Sequence, residues 1–284
     1  MLVNLKDVLL DAQKNKYGVG LFNTTDSDML EAAISAAEEL RSPIIIGTAE
    51  VLLPYGELEL IAPSIVAAAK RARVPVVVHY DHGLTFERCM EALRLGFSSI
   101  MFDGSASEYS KNIADTAEVV KIAHSFGATV EGEIGHVGSA SDGDDAATDM
   151  YTKVSEAVEY QKATGVDALA VAIGTAHGAY KSKPKLDLKR LSEIRDAVPV
   201  PLVLHGGSGL SDDDFRNSIA HGISKVNIFT DICYAGAKAS ADKLSINPDL
   251  NSMMTYLEMR NDRVAAMKEE IKKKIMLFGS VGKA

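Results

Sequence analysis

The chain has 284 residues, with 30 Lys and Arg against 39 Asp and Glu, a formal net charge of −9. Hydrophobic residues make up 46% and charged residues 24%, with 22 Gly and 8 Pro, which excludes collagen-like, disordered and disulfide-scaffold chains. The acidic balance argues against nucleic acid, whose binders carry a basic face, and no apolar stretch reaches the roughly 18 residues of a membrane span.

In chain order, residues 1–10 mix Asn4, Lys6 and Asp7 into an apolar stretch, which fits neither a signal peptide nor an anchor. Short, β-branched apolar runs then recur at 19–24, 43–47, 75–82, 98–104, 129–137, 168–178, 201–207 and 225–231. Their near-continuous hydrophobicity is that of buried parallel strands. Each repeat spans about thirty residues, the size of a βαβ unit. Between runs, residues 27–39 put Met29, Leu30, Ile34 and Ala37 on one helical face. Residues 211–221 open with Ser211, Asp212, Asp213 and Asp214, an N-cap followed by an acidic first turn. Eight such units predict a (β/α)8 TIM barrel occupying 1–284 as one domain. A doubly wound sheet is the runner-up, and even spacing favours closure.

Residues 139–151 are small, polar and acidic, with Asp142, Asp144, Asp145 and Asp149. Following the fifth run, they read either as a lid over the active face or as a solvated loop. Residues 251–278 read as a helical C-terminal extension, with Lys268 and Lys272 to Lys274 on a solvated face. Cys89 and Cys233 are too few for a secreted framework and fit a reducing, cytoplasmic setting.

Barrel chemistry belongs at the C-terminal ends of strands. Of the 7 histidines, His124 and His221 fall at helix ends before Gly127 and Gly222, where a cation suits the helix dipole. His79, inside the third run, reads as a satisfied core histidine. His136 is explained as well by loop packing as by function. His82, His177 and His205, from the third, sixth and seventh runs, converge on the mouth beside Asp81, Asp103 and Glu133. Imidazoles with at most one carboxylate suit zinc better than magnesium or calcium. Each carboxylate also reads as a salt bridge or cap, and for Asp103 the two readings balance. After the seventh run comes His205-Gly206-Gly207-Ser208-Gly209, and the eighth ends Asn227-Ile228-Phe229-Thr230-Asp231. Loops at these positions frequently bind phosphate through backbone N–H groups and hydroxyls.

The segments Val78-His79-Tyr80-Asp81-His82-Gly83, Met101-Phe102-Asp103-Gly104-Ser105 and Glu131-Gly132-Glu133-Ile134-Gly135 resemble the class II, metal-dependent fructose- and tagatose-bisphosphate aldolases. So do Gly174-Thr175-Ala176-His177-Gly178, Leu204-His205-Gly206-Gly207-Ser208-Gly209 and Lys225-Val226-Asn227, and the likeness spans essentially the whole chain. The resemblance implies His82, His177 and His205 as zinc ligands and Glu133 as an alternative ligand. It implies Asp103 near a second metal position and Asp81 as the acid/base for the substrate hydroxyl proton. Gly178, Gly206, Gly207, Ser208, Asn227, Ile228, Phe229 and Thr230 match the segments that bind dihydroxyacetone phosphate, with a monovalent cation (Na+ or K+) nearby. Homodimers or homotetramers are the family habit.

The expected reaction is reversible cleavage of a ketose (bis)phosphate to dihydroxyacetone phosphate and an aldehyde. A metal-dependent epimerase, an aldolase for an unphosphorylated ketose and a non-catalytic barrel subunit are the alternatives. A Schiff-base route needs a lysine in the barrel interior. The sixth run has none, and Lys225 is expected at the wrong end of the eighth. Two departures concern the substrate. The stretch from Ser139 to Asp142 lacks the glutamate many relatives carry, and Phe229 stands where an aspartate is common.

Overall fold

Apolar runs of this kind need burial on both faces, and parallel strands between a filled interior and a jacket of helices provide it. The computed structural model, which describes residues 1–135, 137, 151–176, 184–246, 248–249 and 252–284, has that arrangement. A two-residue strand β1 (Leu2–Val3) and helix α1 (Leu5–Asn15) come first. Then follow β2 (Val19–Asn23), β3 (Ile44–Ala49), β4 (Val76–Gly83), β5 (Ser99–Phe102), β6 (Thr129–Ile134), β7 (Ala168–Val171), β8 (Leu202–Leu204) and β9 (Ile223–Ile228). Strands β2 to β9 pair in parallel in chain order, and β2 against β9 closes the ring, with Val19 opposite Lys225 and Leu21 opposite Asn227. The fold is a TIM barrel, and closure removes the doubly wound alternative.

The intervening helices are α2 (Ser27–Leu40), α3 (Leu58–Arg71), α4 (Phe86–Arg94), α5 (Tyr109–Ser125), α6 (Val154–Thr164), α7 (Leu188–Ala197), α8 (Asp212–His221) and α9 (Thr230–Ile246). Helix α8 starts as read: Ser211 accepts from the Asp214 N–H while the Asp214 carboxylate accepts from the Ser211 N–H. Several strand expectations were too long: the runs 98–104, 129–137 and 201–207 are strand only over Ser99–Phe102, Thr129–Ile134 and Leu202–Leu204. The run 168–178 is strand only to Val171, with Gly174 beyond it at a φ of 108°. The run 225–231 ends as strand at Ile228 and passes into α9.

Residues 1–15 do more than the sequence suggested. Helix α1 buries Leu5, Val8, Leu9 and Ala12 against Val19, Leu21, Ile45, Val77, Met101, Ala168, Ala170 and Val203. It stoppers the N-terminal end of the barrel with a mainly apolar cluster, and the Leu5 N–H donates to the buried Thr129 hydroxyl at 3.1 Å. Out-facing residues such as Ile44, Ile46, Val76, Val78 and Tyr80 pack under the helices instead.

The C-terminal helix α10 (Met253–Phe278) buries Val264, Met267, Ile271, Ile275 and Phe278. Its lysines are not simply solvated, as expected from sequence. Lys268 and Lys272 pair with Glu39 of α2 at 2.7 and 2.5 Å, and Lys274 pairs with Asp231 of α9 at 2.6 Å. Among the described residues no helix is long and apolar enough to cross a membrane.

Leu9 is fully buried in the stopper. Leu9→Ala should cost about 2–5 kcal/mol in urea unfolding, as buried leucine truncations do. A loss below roughly 1 kcal/mol, the range of conservative swaps, would mean that α1 does not seal the barrel.

Candidate metal centre and substrate pocket

Asp81 and His82 are consecutive, so a regular strand would aim them at opposite faces. Two features bring both to the mouth. Tyr80 pairs with Ile100 and Gly83 with Phe102, three steps along β4 against two along β5. Within this bulge His82 takes a left-handed φ of 45°. Bulges re-aim side chains in this way, and a non-glycine residue at positive φ costs of order 1–2 kcal/mol. Contacts to the His82 ring offset that strain.

Those contacts define the centre. His82 Nδ1 lies 2.8 Å from Asp103 Oδ2, and His205 Nε2 lies 2.8 Å from Glu131 Oε1. Carboxylates accept, so each ring places its proton on the side away from its neighbour. The remaining nitrogens, His82 Nε2 and His205 Nδ1, face each other at 2.8 Å. Asn227 Nδ2, a donor, also sits 3.3 Å from His205 Nδ1, consistent with a lone pair there. Two lone pairs cannot share that distance without a cation between them, either a proton or a metal. Burial works to lower the His82 pKa, but Asp81, the Asp103 hydrogen bond and Glu133 outweigh it and hold it up at about 9. Burial, then the charge on His82, pushes His205 down. The donor set fits a metal that favours imidazole, with each ligand ring oriented from behind by a carboxylate.

Asp81 is held by two amides: Asn23 Nδ2 donates to Oδ2 at 2.8 Å, and Asn227 Nδ2 to Oδ1 at 2.9 Å. Burial would raise its pKa, but His82, Lys225 and His205 hold it far below the usual carboxylate range. Asp81 is therefore ionised at neutral pH. Glu133 differs. Burial, reinforced by Asp103, lifts its pKa to about 8, and its Oε2 has no hydrogen-bond partner among the described residues. Glu133, Asp103 and His82 each offer an atom within 4.8 Å of the others, and Asp103 Oδ1 also accepts from Ser105 Oγ at 2.7 Å.

Below these groups lies a buried polar layer of His79, Ser99, Glu131 and Lys225. His79 is a core histidine, as expected, but only half satisfied. Its Nδ1 is 2.7 Å from Ser99 Oγ, whereas Nε2 has no hydrogen-bond partner among the described residues. Burial, then Lys225, pushes its pKa to about 3, leaving the ring neutral. Lys225 corrects an expectation. Its ammonium lies in the interior, 2.8 Å from both Glu131 Oε2 and Asn227 Oδ1. His124 pairs with Asp167 at 2.9 Å, and His221 donates to the Asn217 carbonyl at 2.7 Å. Both serve structure.

The pocket above is walled on one side by Gly206, Gly207, Ser208, Asn227, Ile228, Phe229 and Thr230, with Asp81 and His82 in its floor. Asn23, Ala49, Val51 and Leu52 complete the lining. Gly206 has a φ of 67°, and a Cβ there would meet the Ala176 carbonyl oxygen at 2.5 Å. Only glycine lets the segment after β8 lie so close against the segment after β7. His177 and Gly178 follow Ala176 but lie outside the described residues, as do His136 and the acidic stretch 139–150.

Of the expected site residues, Asp81, His82, Asp103, Glu133 and His205 come together at one end of the barrel. Asn23, Glu131, Lys225 and the apolar wall were missed. Strand parity could have found two of them, since Glu131 shares its inward side with Glu133, and Lys225 with Asn227. Residues 3–283 match the family model of class II fructose-bisphosphate aldolases. The chain is 39% identical over 312 residues to the fructose-bisphosphate aldolase of Thermus caldophilus, covering 100% of both. It is 39% identical over 285 residues to YdjI of Escherichia coli K12, again covering 100% of both. The crystal structure of that YdjI aldolase aligns with a TM-score of 0.88 at 38% identity over 100% of both chains. The chain thus belongs to the class II fructose-bisphosphate aldolase family, aldehyde-lyases built on this barrel.

Proposed function

We propose that the protein is a zinc-dependent aldolase, acting as one barrel domain over residues 1–284, that reversibly cleaves a ketose (bis)phosphate to dihydroxyacetone phosphate and an aldehyde. One observation carries the reading: His82 Nε2 and His205 Nδ1 face each other at 2.8 Å, each ring held from behind by a carboxylate. His82 and His205 hold zinc, with His177 as third ligand and Glu133 as an alternative one. Asp103 orients His82 and lies near a second metal position. Zinc, when bound, supplies Lewis-acid stabilisation of the negative charge that carbon–carbon cleavage leaves behind.

Asp81 takes the C4 hydroxyl proton. Its ionised state and its two amide donors leave lone pairs free for that transfer and fix their direction. The phosphate lies against Gly206 to Ser208 and Asn227 to Thr230, with Gly178 joining from outside the described residues. Helix α9, 17 residues long, begins at Thr230 and presents the positive end of its dipole to the pocket. Binding energy gathered there orients the reacting bond. We further propose a dimer or tetramer, because Tyr234, Ile246, Met253 and Tyr256 expose large apolar surfaces on α9 and α10.

Purified protein should carry zinc, and His82→Ala or His205→Ala should lose most of it together with activity. Either variant retaining full zinc and full rate refutes the ligand assignment. Asp81→Asn should keep zinc yet cleave about 10²–10⁴-fold more slowly, the usual worth of a placed acid/base. Loss of metal in parallel would make Asp81 a structural group.

A phosphorylated ketose should have a much higher kcat/KM than its unphosphorylated analogue, and Ser208→Ala should shrink the difference by about 1.5–3 kcal/mol, the worth of a hydrogen bond to a charged group. Equal kcat/KM values for the two substrates would assign an uncharged sugar instead. Product analysis covers the epimerase alternative, which would return one isomeric sugar and no triose.

A further inference from the structure

Lys225 lies beneath the working groups, fully buried, on the strand that also carries Asn227. A buried ammonium is costly unless it is paired, and here it faces two groups that lead upward, Glu131 by an ion pair and Asn227 by a hydrogen bond. Nζ sits 2.8 Å from Glu131 Oε2 and donates to Asn227 Oδ1 at 2.8 Å. The first branch continues from Glu131 Oε1 to His205 Nε2 at 2.8 Å. The second continues through the Asn227 amide, whose Nδ2 donates to both Asp81 oxygens at 2.9 and 3.1 Å.

Which end of an amide faces which neighbour is decided by those neighbours. An ammonium only donates, so it must face oxygen, which turns the Asn227 nitrogen towards Asp81. Its charge draws one oxygen of Glu131 to 2.8 Å as an ion pair, and the other oxygen is left for the His205 N–H. A nucleophilic lysine would need an amine open to substrate, which full burial denies.

We propose that Lys225 is the positioning residue of this centre, its single ammonium setting both the His205 ring, through Glu131, and the Asp81 carboxylate, through Asn227. This rests on the reading of His205 as ligand and Asp81 as base.

The test exploits the difference between a carboxylate and an amide. Glu131→Gln offers one oxygen where glutamate offered two. Lys225 takes it, and the NH2 of the introduced amide then faces His205 Nε2, forcing the ring proton onto Nδ1. Nitrogen NMR of the metal-free protein should show that tautomer switch. Chelator competition should show zinc affinity lower by about 10–100-fold, the usual effect of losing such a partner. Adding K225M to E131Q frees the introduced amide to turn its oxygen to His205. The Nε2–H tautomer and most of the zinc affinity should then return, while kcat stays low because Asn227 is no longer oriented. A merely structural lysine predicts the opposite, a double variant worse than the single one in every respect.

Wild-type tautomer in E131Q, or no recovery in the folded double variant, overturns the proposal. Lys225→Met alone, with Glu131 intact, tests the second branch should E131Q not fold. Its kcat should fall about 10–100-fold with KM little changed, and full kcat would overturn the role. Wild-type protein that binds no zinc would instead refute the metal reading, and the tautomer switch, measured without metal, still decides the part played by Lys225.

Discussion

Two imidazole nitrogens, His82 Nε2 and His205 Nδ1, face each other across 2.8 Å, while the other nitrogen of each ring faces a carboxylate. That contact is unfavourable without a positive charge between the rings, and both rings are prevented from turning away. Asp103 and Glu131 hold the far nitrogens, so neither histidine can relax by swapping its tautomer. The centre is thus preorganised for a cation. Much of the surrounding architecture can be understood as what keeps these four side chains in place.

The barrel does this by layering its interior. Helix α1 and the lower strand residues fill the N-terminal end with aliphatic side chains. The next level, His79, Ser99, Glu131 and Lys225, is fully buried from bulk solvent, so its polar groups are costly unless paired. Charges in such a layer are directional. The Lys225–Glu131 pair would cost more than it returns if its only role were stability, since buried ion pairs are weak stabilisers. Its value here is geometric. The bulge at His82 then converts a strand end into two usable side chains, Asp81 and His82, from adjacent positions.

The fold was legible because the apolar runs repeat at βαβ spacing, and composition left little room for other classes. The site was legible where chemistry-bearing residues stand at strand ends: Asp81, His82, Asp103, Glu133 and His205 are all there. Strand lengths were not, because apolar loop residues such as Ala172 and Ile173 read like strand and only backbone conformation ends β7 at Val171. Lys225 was misplaced because its Cα position says little about where a long side chain delivers its ammonium. Glu131 stands in a recognisable motif but carried no assigned role, although alternation sets it inward beside Glu133. The pairing of α10 lysines with Glu39 and Asp231 depends on tertiary packing that no local pattern encodes.

The most direct test of this account is anomalous diffraction at the zinc edge from zinc-loaded crystals. The expected result is one strong peak bonded to His82 Nε2 and His205 Nδ1, with Asp103 and Glu131 still hydrogen-bonded to the opposite ring nitrogens. A peak coordinated through His205 Nε2, or held by Asp103 and Glu131 with the rings turned aside, would contradict it.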